Sequence, residues 1–216
     1  MTKPCRLVIL ISGSGSNLQA FIDAVARDEL SAHIAAVISN KADAGGLQRA
    51  EKAGIPTEVV DHKQFATRED FDEQLRARVE SYGPDLVVLA GFMRILTPIF
   101  LRPFHGKLIN IHPSLLPKYP GLHTHQRALD ASDKEAGATV HFVTEELDGG
   151  AAIIQASVPI LPGDEAASIA ARVLTQEHRI YPLAAQWFAE GRLQLQDNRA
   201  VLDGRTLPPT GFIFSG

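Results

Sequence analysis

Short, continuous apolar runs alternate with segments of helical periodicity along the first half of this 216-residue chain. The runs cover residues 7–11, 34–38 and 86–90. A strand that is apolar at every position is typical of a parallel sheet covered on both faces. The alternation therefore predicts an α/β fold: an open, mostly parallel twisted sheet with helices on both faces, of the Rossmann-like type.

Two amphipathic segments support this prediction. The first has apolar residues at the i, i+3, i+4 and i+7 positions of a helix, namely Leu18, Phe21, Ile22 and Val25. Ser16 and Gln19 have the spacing of a capping box at its start. The second segment follows Thr67 and Asp70 and repeats the pattern with Phe71, Leu75, Val79 and Tyr82. Each segment is expected to form a helix that covers the sheet.

The pattern changes in the later part of the chain. Residues 139–144 and 153–160 are strand-like and flank the turn sequence 147–150, which predicts an antiparallel pair added to the sheet. A helix is predicted over residues 165–189, kinked or divided by Pro182. The tail, 192–216, is predicted to be irregular with a short hairpin. We expect a single domain over 1–216, with a nucleotide- or phosphate-binding half in 1–110 and a second subregion in 111–216.

Charge and cysteine content restrict the class of protein. The formal net charge of −4 gives no electrostatic drive toward nucleic acid or an anionic membrane, so neither is expected as a partner. Cys5 is the only cysteine, which excludes an intrachain disulfide. No apolar stretch has the length of a bilayer span. We therefore expect a cytoplasmic protein.

A glycine-rich loop, residues 12–17, joins the first strand to the first helix. Its backbone N–H groups and the helix N-terminus suit a single phosphate. A tight turn without a ligand is the alternative. A dinucleotide site is disfavoured because Leu18 replaces the third fingerprint glycine and no acidic residue ends the second strand. A Walker loop is excluded because no Gly-Lys-Ser/Thr follows.

Asn110 and His112 form a second constellation, on a predicted strand that Pro113 stops. Side chains alternate along a strand, so these two point to the same side. An amide donor beside an imidazole at the carboxyl end of a strand suits an oxyanion site with a proton carrier. From these residues alone, a hydrogen-bonded pair at a strand end is an equal alternative.

The octapeptide Asn-Ile-His-Pro-Ser-Leu-Leu-Pro, residues 110–117, resembles the signature of enzymes that handle 10-formyltetrahydrofolate. The segments Lys-Tyr-Pro-Gly at 118–121 and Leu-Asp-Gly-Gly at 147–150 extend the resemblance. Glycinamide ribonucleotide formyltransferases, methionyl-tRNA formyltransferases and formyltetrahydrofolate hydrolases share this signature.

Four further segments resemble the glycinamide ribonucleotide branch: residues 11–18, 39–44, 90–96 and 175–182. The similarity extends over nearly the whole chain, and we expect no additional tRNA-binding or regulatory domain. Ser14 departs from the Asn expected in that loop. This puts little in doubt, because phosphate contacts there are expected to be backbone contacts.

The resemblance implies a role for each candidate site residue. Asn110, His112 and Asp148 are the implied catalytic group. Gly15, Ser16 and Asn17 would hold the ribonucleotide phosphate, and Glu177 the ribose or glycinamide end. The folate-binding residues would be Arg68, Met93, Arg94, Ile95 and Leu96, together with Asn110 and backbone near residues 145–148. The implied reaction is formyl transfer to glycinamide ribonucleotide in purine biosynthesis.

Three alternatives remain at this stage. A hydrolase could use the same Asn, His and Asp with water as acceptor. A non-catalytic nucleotide-binding module would explain only the loop, and a dinucleotide oxidoreductase is weaker still.

His123 and His125 could suggest a metal, but no His-Glu-x-x-His or cysteine cluster occurs, so no metal is expected. These histidines are expected to line or support the active-site loop. The partners are small molecules, and the protein is expected to be a monomer or homodimer.

Overall fold

A computed structural model describes residues 3–216, so Met1 and Thr2 of the predicted domain lie outside the described residues. The first five strands of the chain pair in parallel within one large sheet, and the predicted apolar runs form three of them. The strands are β1 (Cys5–Ile11), β2 (Ala32–Ser39), β3 (Thr57–Val59), β4 (Leu86–Leu89) and β5 (Leu108–His112).

The predicted antiparallel pair is confirmed, and it continues the same sheet. It consists of β6 (Glu135–Phe142) and β7 (Ala152–Pro159), and β6 also runs antiparallel to β5. The C-terminal strands are β8 (Leu193–Gln196), β9 (Arg199–Leu202), β10 (Arg205–Thr206) and β11 (Phe212–Phe214). The large sheet has the order β11-β7-β6-β5-β4-β1-β2-β3, and β8–β10 form a small antiparallel sheet.

Helices cover both faces of the large sheet. They are α1 (Ser16–Ala26), α2 (Gly45–Lys52), α3 (Arg68–Ser81), α4 (Pro98–Leu101), α5 (Thr124–Asp130) and α6 (Ala166–Ala189). Alternate residues of β1 belong to two separate cores, since Ile9 packs with the face covered by α1 and α6, and Leu10 packs with the face covered by α3 and α4. The predicted two-sided α/β architecture is confirmed.

The predicted capping box at Ser16 and Gln19 is wrong. Ser16 is the first residue of α1, and Gly15 occupies the N-cap position in the left-handed conformation, with a φ of 75°. Within the described chain, α1 has no side-chain cap. By contrast, Thr67 caps α3 as expected, because its hydroxyl accepts a hydrogen bond from the backbone N–H of Asp70.

Pro182 does not divide α6, which runs without interruption from Ala166 to Ala189. The ring of a proline fixes φ near the helical value, so a helix can continue past it with the loss of one backbone hydrogen bond. Buried residues on both sides of Pro182, including Ile180 and Ala184, hold the two halves of α6 against the same core.

The tail is more ordered than predicted. The expected hairpin forms the small sheet, and β11 pairs in parallel with β7 at the edge of the large sheet. A three-residue edge strand with Pro208 and Pro209 before it has little sequence signal of its own. Its pairing depends on the strand beside it, which sequence periodicity does not report.

Candidate active site

A cleft of about 590 Å³ opens at the carboxyl ends of β1, β4 and β5, the edge where ligands bind in open α/β sheets. Its volume is in the usual range for a small-molecule site. Most of the predicted site residues line it: Asn17, Met93, Arg94, Ile95, Leu96, Asn110, His112, Asp148 and Glu177. Residues 145–148 form part of its rim.

The glycine loop lies beside this cleft and brings two helix N-termini together. Gly15 and Ser16 directly precede Asn17, which lines the cleft. Gly46, in the first turn of α2, donates its N–H to the Gly13 carbonyl at 3.0 Å. A Cβ atom on Gly15 would lie 2.6 Å from the Gly46 Cα atom, so the close approach requires glycine. Because the first N–H groups of α1 have no intrahelical partner and the N-terminus of α2 adds positive potential nearby, the loop suits an anion.

Asn17 and Glu177 meet across α1 and α6 at the inner end of the cleft. The Asn17 amide donates to Glu177 Oε2 at 2.8 Å, and both side chains are buried. Burial raises the pKa of the Glu177 carboxyl, while the hydrogen bond from Asn17 acts in the opposite direction. Asn17 Oδ1 is also buried and has no hydrogen-bond partner among residues 3–216. The pair therefore offers acceptors for ligand hydroxyl or amine groups.

Asn110 and His112 project from the same face of β5, as predicted. Asn110 Nδ2 lies 3.2 Å from Nε2 of His141, which occupies the opposite position on β6. His112 Nε2 lies 2.8 Å from the Tyr119 carbonyl oxygen in the loop that follows β5. This loop is itself tied down by the Ser114 hydroxyl, which donates to the Lys118 carbonyl.

Asp148 completes the group by direct contact. Its Oδ2 atom lies 3.5 Å from His112 Nδ1, and the two side chains are 8% and 7% exposed. The same Oδ2 accepts a hydrogen bond from the Gly121 N–H at 2.9 Å. Both ring nitrogens of His112 thus face oxygen atoms that can accept hydrogen bonds. Asp148 therefore contacts His112 directly in the folded chain.

Two polar side chains that sequence reasoning missed hold the segment containing Met93–Leu96. The Ser12 hydroxyl accepts from the Met93 N–H at 2.8 Å and donates to Asn40 Oδ1 at 2.6 Å. Buried Asp72 accepts from the Thr97 N–H at the other end of the segment. Their signal in the sequence is weak, because Ser12 looks like an ordinary polar residue at a strand end and Asp72 like an ordinary acidic residue of a helix.

The remaining predicted residues are placed differently. Arg68 is the first residue of α3, is exposed, and lies outside the lining of the cleft. His123 lines the cleft, whereas His125 lies in α5, where burial lowers its pKa and the nearby His112 adds to the effect. His141 lines the cleft and was not predicted as a site residue.

The described residues contain neither a metal-binding cluster nor a membrane-spanning helix. Between residues 3 and 216, no group of three or more His, Cys, Asp or Glu side chains is arranged to hold a metal ion. None of the helices in that part of the chain combines the length and the apolar composition of a membrane span.

An open α/β sheet with a largely apolar cleft at its strand ends, a few polar side chains that converge in the cleft and an anion loop beside it is typical of an α/β enzyme that acts on small molecules. Residues 5–185 match the formyl transferase family, and the chain belongs to this family. The predicted family is thereby confirmed, and the protein is a transferase.

Several relatives are similar along nearly the whole of this chain. Phosphoribosylglycinamide formyltransferase of Escherichia coli is 57% identical over 207 residues, which is 96% of this chain and 98% of that protein. The human trifunctional purine biosynthetic protein adenosine-3 is 47% identical over 92% of this chain, which matches 20% of its length. The structure of phosphoribosylglycinamide formyltransferase from Coxiella burnetii has 49% identity and a TM-score of 0.95, covering 99% of this chain and 100% of that one.

Proposed function

We propose that the protein transfers the formyl group of 10-formyltetrahydrofolate to the amine of N1-(5-phosphoribosyl)glycinamide, a step of purine biosynthesis. The observation that carries the proposal is the meeting of Asn110, His112 and Asp148 in one cleft beside a loop suited to phosphate. The full-length similarity to the Escherichia coli enzyme supports the identity of the acceptor. The protein acts in the cytoplasm, as a monomer or homodimer.

The ribonucleotide binds along the glycine loop and the Asn17–Glu177 pair. Its phosphate accepts hydrogen bonds from backbone N–H groups of Gly15, Ser16 and Asn17 at the N-terminus of α1. Its hydroxyl or amine groups donate to Asn17 Oδ1 and Glu177, which are buried acceptors at the inner end of the cleft. This direction places the acceptor amine toward Asn110.

The folate donor binds at the apolar side of the same cleft. Met93 and Ile95 are 61% and 58% exposed, an unusual degree of exposure for side chains of this type, and both line the cleft. They present apolar surface to a flat ring system, Arg94 and Leu96 line the cleft beside them, and backbone groups near 145–148 supply polar contacts. Arg68 lies outside the cleft and suits the anionic glutamate tail of a folate, which extends beyond the pocket.

In the reaction, the amine of the ribonucleotide attacks the formyl carbon and the carbonyl oxygen becomes an oxyanion. Asn110 donates an N–H to this oxygen, and His112 stabilises it as well. One such donor typically contributes about 100- to 1000-fold in rate. The attacking nitrogen belongs to the substrate, so no nucleophilic side chain is required.

A proton then leaves the amine, and another must reach the folate nitrogen as the C–N bond to the donor breaks. His112 carries protons between these positions, because imidazole exchanges protons near neutral pH. Asp148, 3.5 Å away, faces the His112 ring with its carboxylate and assists this proton transfer. The products are formylated ribonucleotide and tetrahydrofolate, and the side chains return to their starting protonation states.

The test is an absorbance assay for loss of 10-formyltetrahydrofolate with and without the ribonucleotide. We expect donor consumption only when the ribonucleotide is present, with the formyl group recovered on its amine. Asn110→Ala tests the role of the amide in the chemistry. Its kcat should fall by at least 100-fold while the KM for the ribonucleotide changes little.

Two other outcomes would overturn the proposal. Donor loss at the same rate without ribonucleotide would identify a hydrolase. No donor loss in either case would mean a different formyl acceptor or a binding protein. An unchanged kcat in Asn110→Ala would remove Asn110 from the chemistry even if the reaction were the expected one.

A further inference from the structure

His141 faces the candidate catalytic amide from the neighbouring strand. In the antiparallel register of β5 and β6, Asn110 lies directly opposite His141, so their side chains project from the same face of the sheet. His141 is 2% exposed, and its Nε2 atom lies 3.2 Å from Asn110 Nδ2. The contact is therefore between a fully buried imidazole and the amide that lines the cleft.

A second contact determines which nitrogen of His141 carries the proton. Nδ1 lies 2.9 Å from the Phe142 carbonyl oxygen, which can only accept a hydrogen bond. Nδ1 must therefore donate, and in the neutral ring Nε2 is left with a lone pair. This lone pair can accept from Asn110 only if the NH2 end of the amide, rather than its oxygen, points toward His141.

The charges around His141 are compatible with a neutral ring. Burial lowers the pKa of His141, and the nearby His112 acts in the same direction. The Phe142 carbonyl and Asp148, whose Oδ1 atom is 3.9 Å from Nε2, act in the opposite direction. Asp148 makes its closer contact with His112, at 3.5 Å.

We propose that His141 is a positioning residue whose unprotonated Nε2 fixes the orientation of the Asn110 amide and leaves the second amide N–H for the formyl oxygen. This inference rests on the proposed function, in which Asn110 stabilises the oxyanion. A flipped amide would present its own oxygen to the developing negative charge. The role requires no contact between His141 and either substrate.

The first test does not depend on activity. Protein labelled with ¹⁵N-histidine is examined by two-bond ¹H–¹⁵N correlation at pH 7.5, with the His141 signals assigned by their loss in His141→Gln. We expect the neutral tautomer with the proton on Nδ1. An Nε2–H tautomer or an imidazolium would overturn the proposal, whether or not the protein transfers formyl groups.

The second test is a double-mutant cycle on kcat. His141→Leu removes the acceptor, and we expect a 10- to 100-fold lower kcat with KM values within about twofold of the wild type. In an Asn110→Ala background, His141→Leu should cause less than a twofold further loss, because the amide it orients is gone. Equal losses in both backgrounds would overturn the proposal.

Two variants separate orientation from stability. His141→Gln supplies an amide oxygen as a replacement acceptor, so kcat should recover to within several-fold of the wild type, even if His141→Leu fails to fold. Val140→Ala creates a cavity in the same strand, and its side chain projects from the opposite face. It should lower the melting temperature and leave kcat unchanged, whereas a fall in kcat equal to that of His141→Leu would contradict a specific role for His141.

Discussion

At the scale of single residues, Asp148 makes two contacts that mutation can separate. Its carboxylate faces His112 and accepts a hydrogen bond from the Gly121 N–H. Asp148→Asn keeps an acceptor for Gly121 but removes the charge, so we expect kcat to fall by about 100- to 10,000-fold, the range of acid–base contributions, with little change in melting temperature. Asp148→Ala removes both contacts and should lower the melting temperature as well. Steady-state kinetics with near-normal kcat for Asp148→Asn would contradict the charge-based role.

Glu177 carries a pH-dependent cost to stability. Burial raises the pKa of Glu177 in the folded protein. At pH values between the pKa of the unfolded state, about 4.3, and this raised pKa, the native state therefore holds more protons than the unfolded state. The contribution of Glu177 to stability is therefore present below this window and is lost as pH rises through it.

Glu177→Gln removes this titration, so its melting temperature relative to the wild type should rise between pH 4.5 and pH 8. Glu80→Gln changes an exposed carboxylate on α3 and serves as the control. A difference between Glu177→Gln and wild type that stays constant, or falls, over this pH range would show that burial of Glu177 has no such cost.

At the scale of the elements, the approach of α1 and α2 depends on Gly46. A Cβ atom there would lie 2.6 Å from Ile11 Cδ1 and 3.1 Å from the Gly15 Cα atom. Gly46→Ala should therefore push α2 away from the glycine loop, lower the free energy of unfolding by about 1–3 kcal/mol and raise the KM for the ribonucleotide more than that for the donor.

Gly45→Ala is the matched control, because its added Cβ would be 3.6 Å from the Ser14 Cα atom, an ordinary contact. Chemical denaturation and steady-state kinetics of both variants would check the prediction. Equal effects of the two substitutions would show that the spacing of the helix N-termini is unimportant.

The sequence predicted those elements whose signal lies within a single segment. Continuous apolar runs specify β1, β2 and β4, and the Thr67 cap specifies the start of α3. Errors arose where a distant contact decides the local structure. Ser16 has the spacing of a cap, but the loop brings Gly15 against Gly46, and only a left-handed glycine fits that turn. The pairing of β11 with β7 is likewise a tertiary effect.

In the candidate site, too, residues within a sequence motif were predicted and contacts between distant segments were not. Asn110, His112 and Asp148 are found through the motifs that contain them, and the structure brings them together in the cleft. The contact of His141 with Asn110 could not be predicted, because it depends on the register of β5 against β6. Ser12 and Asp72 support the segment at 93–97 through hydrogen bonds across 81 and 25 residues, which no sequence window contains.

At the scale of the whole molecule, Cys5 can report on global unfolding. It lies at the start of β1, is buried, and burial together with nearby Asp85 raises its pKa to about 11. Since only the thiolate reacts, modification by a disulfide reagent at pH 8 should require unfolding of the sheet. Ligands that bind the native state should slow it further.

The measurement is the rate at which Cys5 is modified by an aromatic disulfide reagent, with and without denaturant. It is followed at 412 nm by the aromatic thiol that the reagent releases. Stoichiometric labelling within seconds under native conditions would mean that β1 opens locally. Cys5→Ala, labelled in parallel, gives the background rate.

The hydrogen bond between Asn17 and Glu177 joins residues 160 positions apart. On a ribosome that adds about 5–20 residues per second, Glu177 is made roughly 8 to 32 s after Asn17. Throughout that interval α1 lacks α6, and Phe21 lacks the aromatic neighbour, Tyr181, that packs against it in the finished protein. The apolar face that α6 later covers therefore stays uncovered for seconds after α1 is made. Apolar surface of this kind is what chaperones shield during translation.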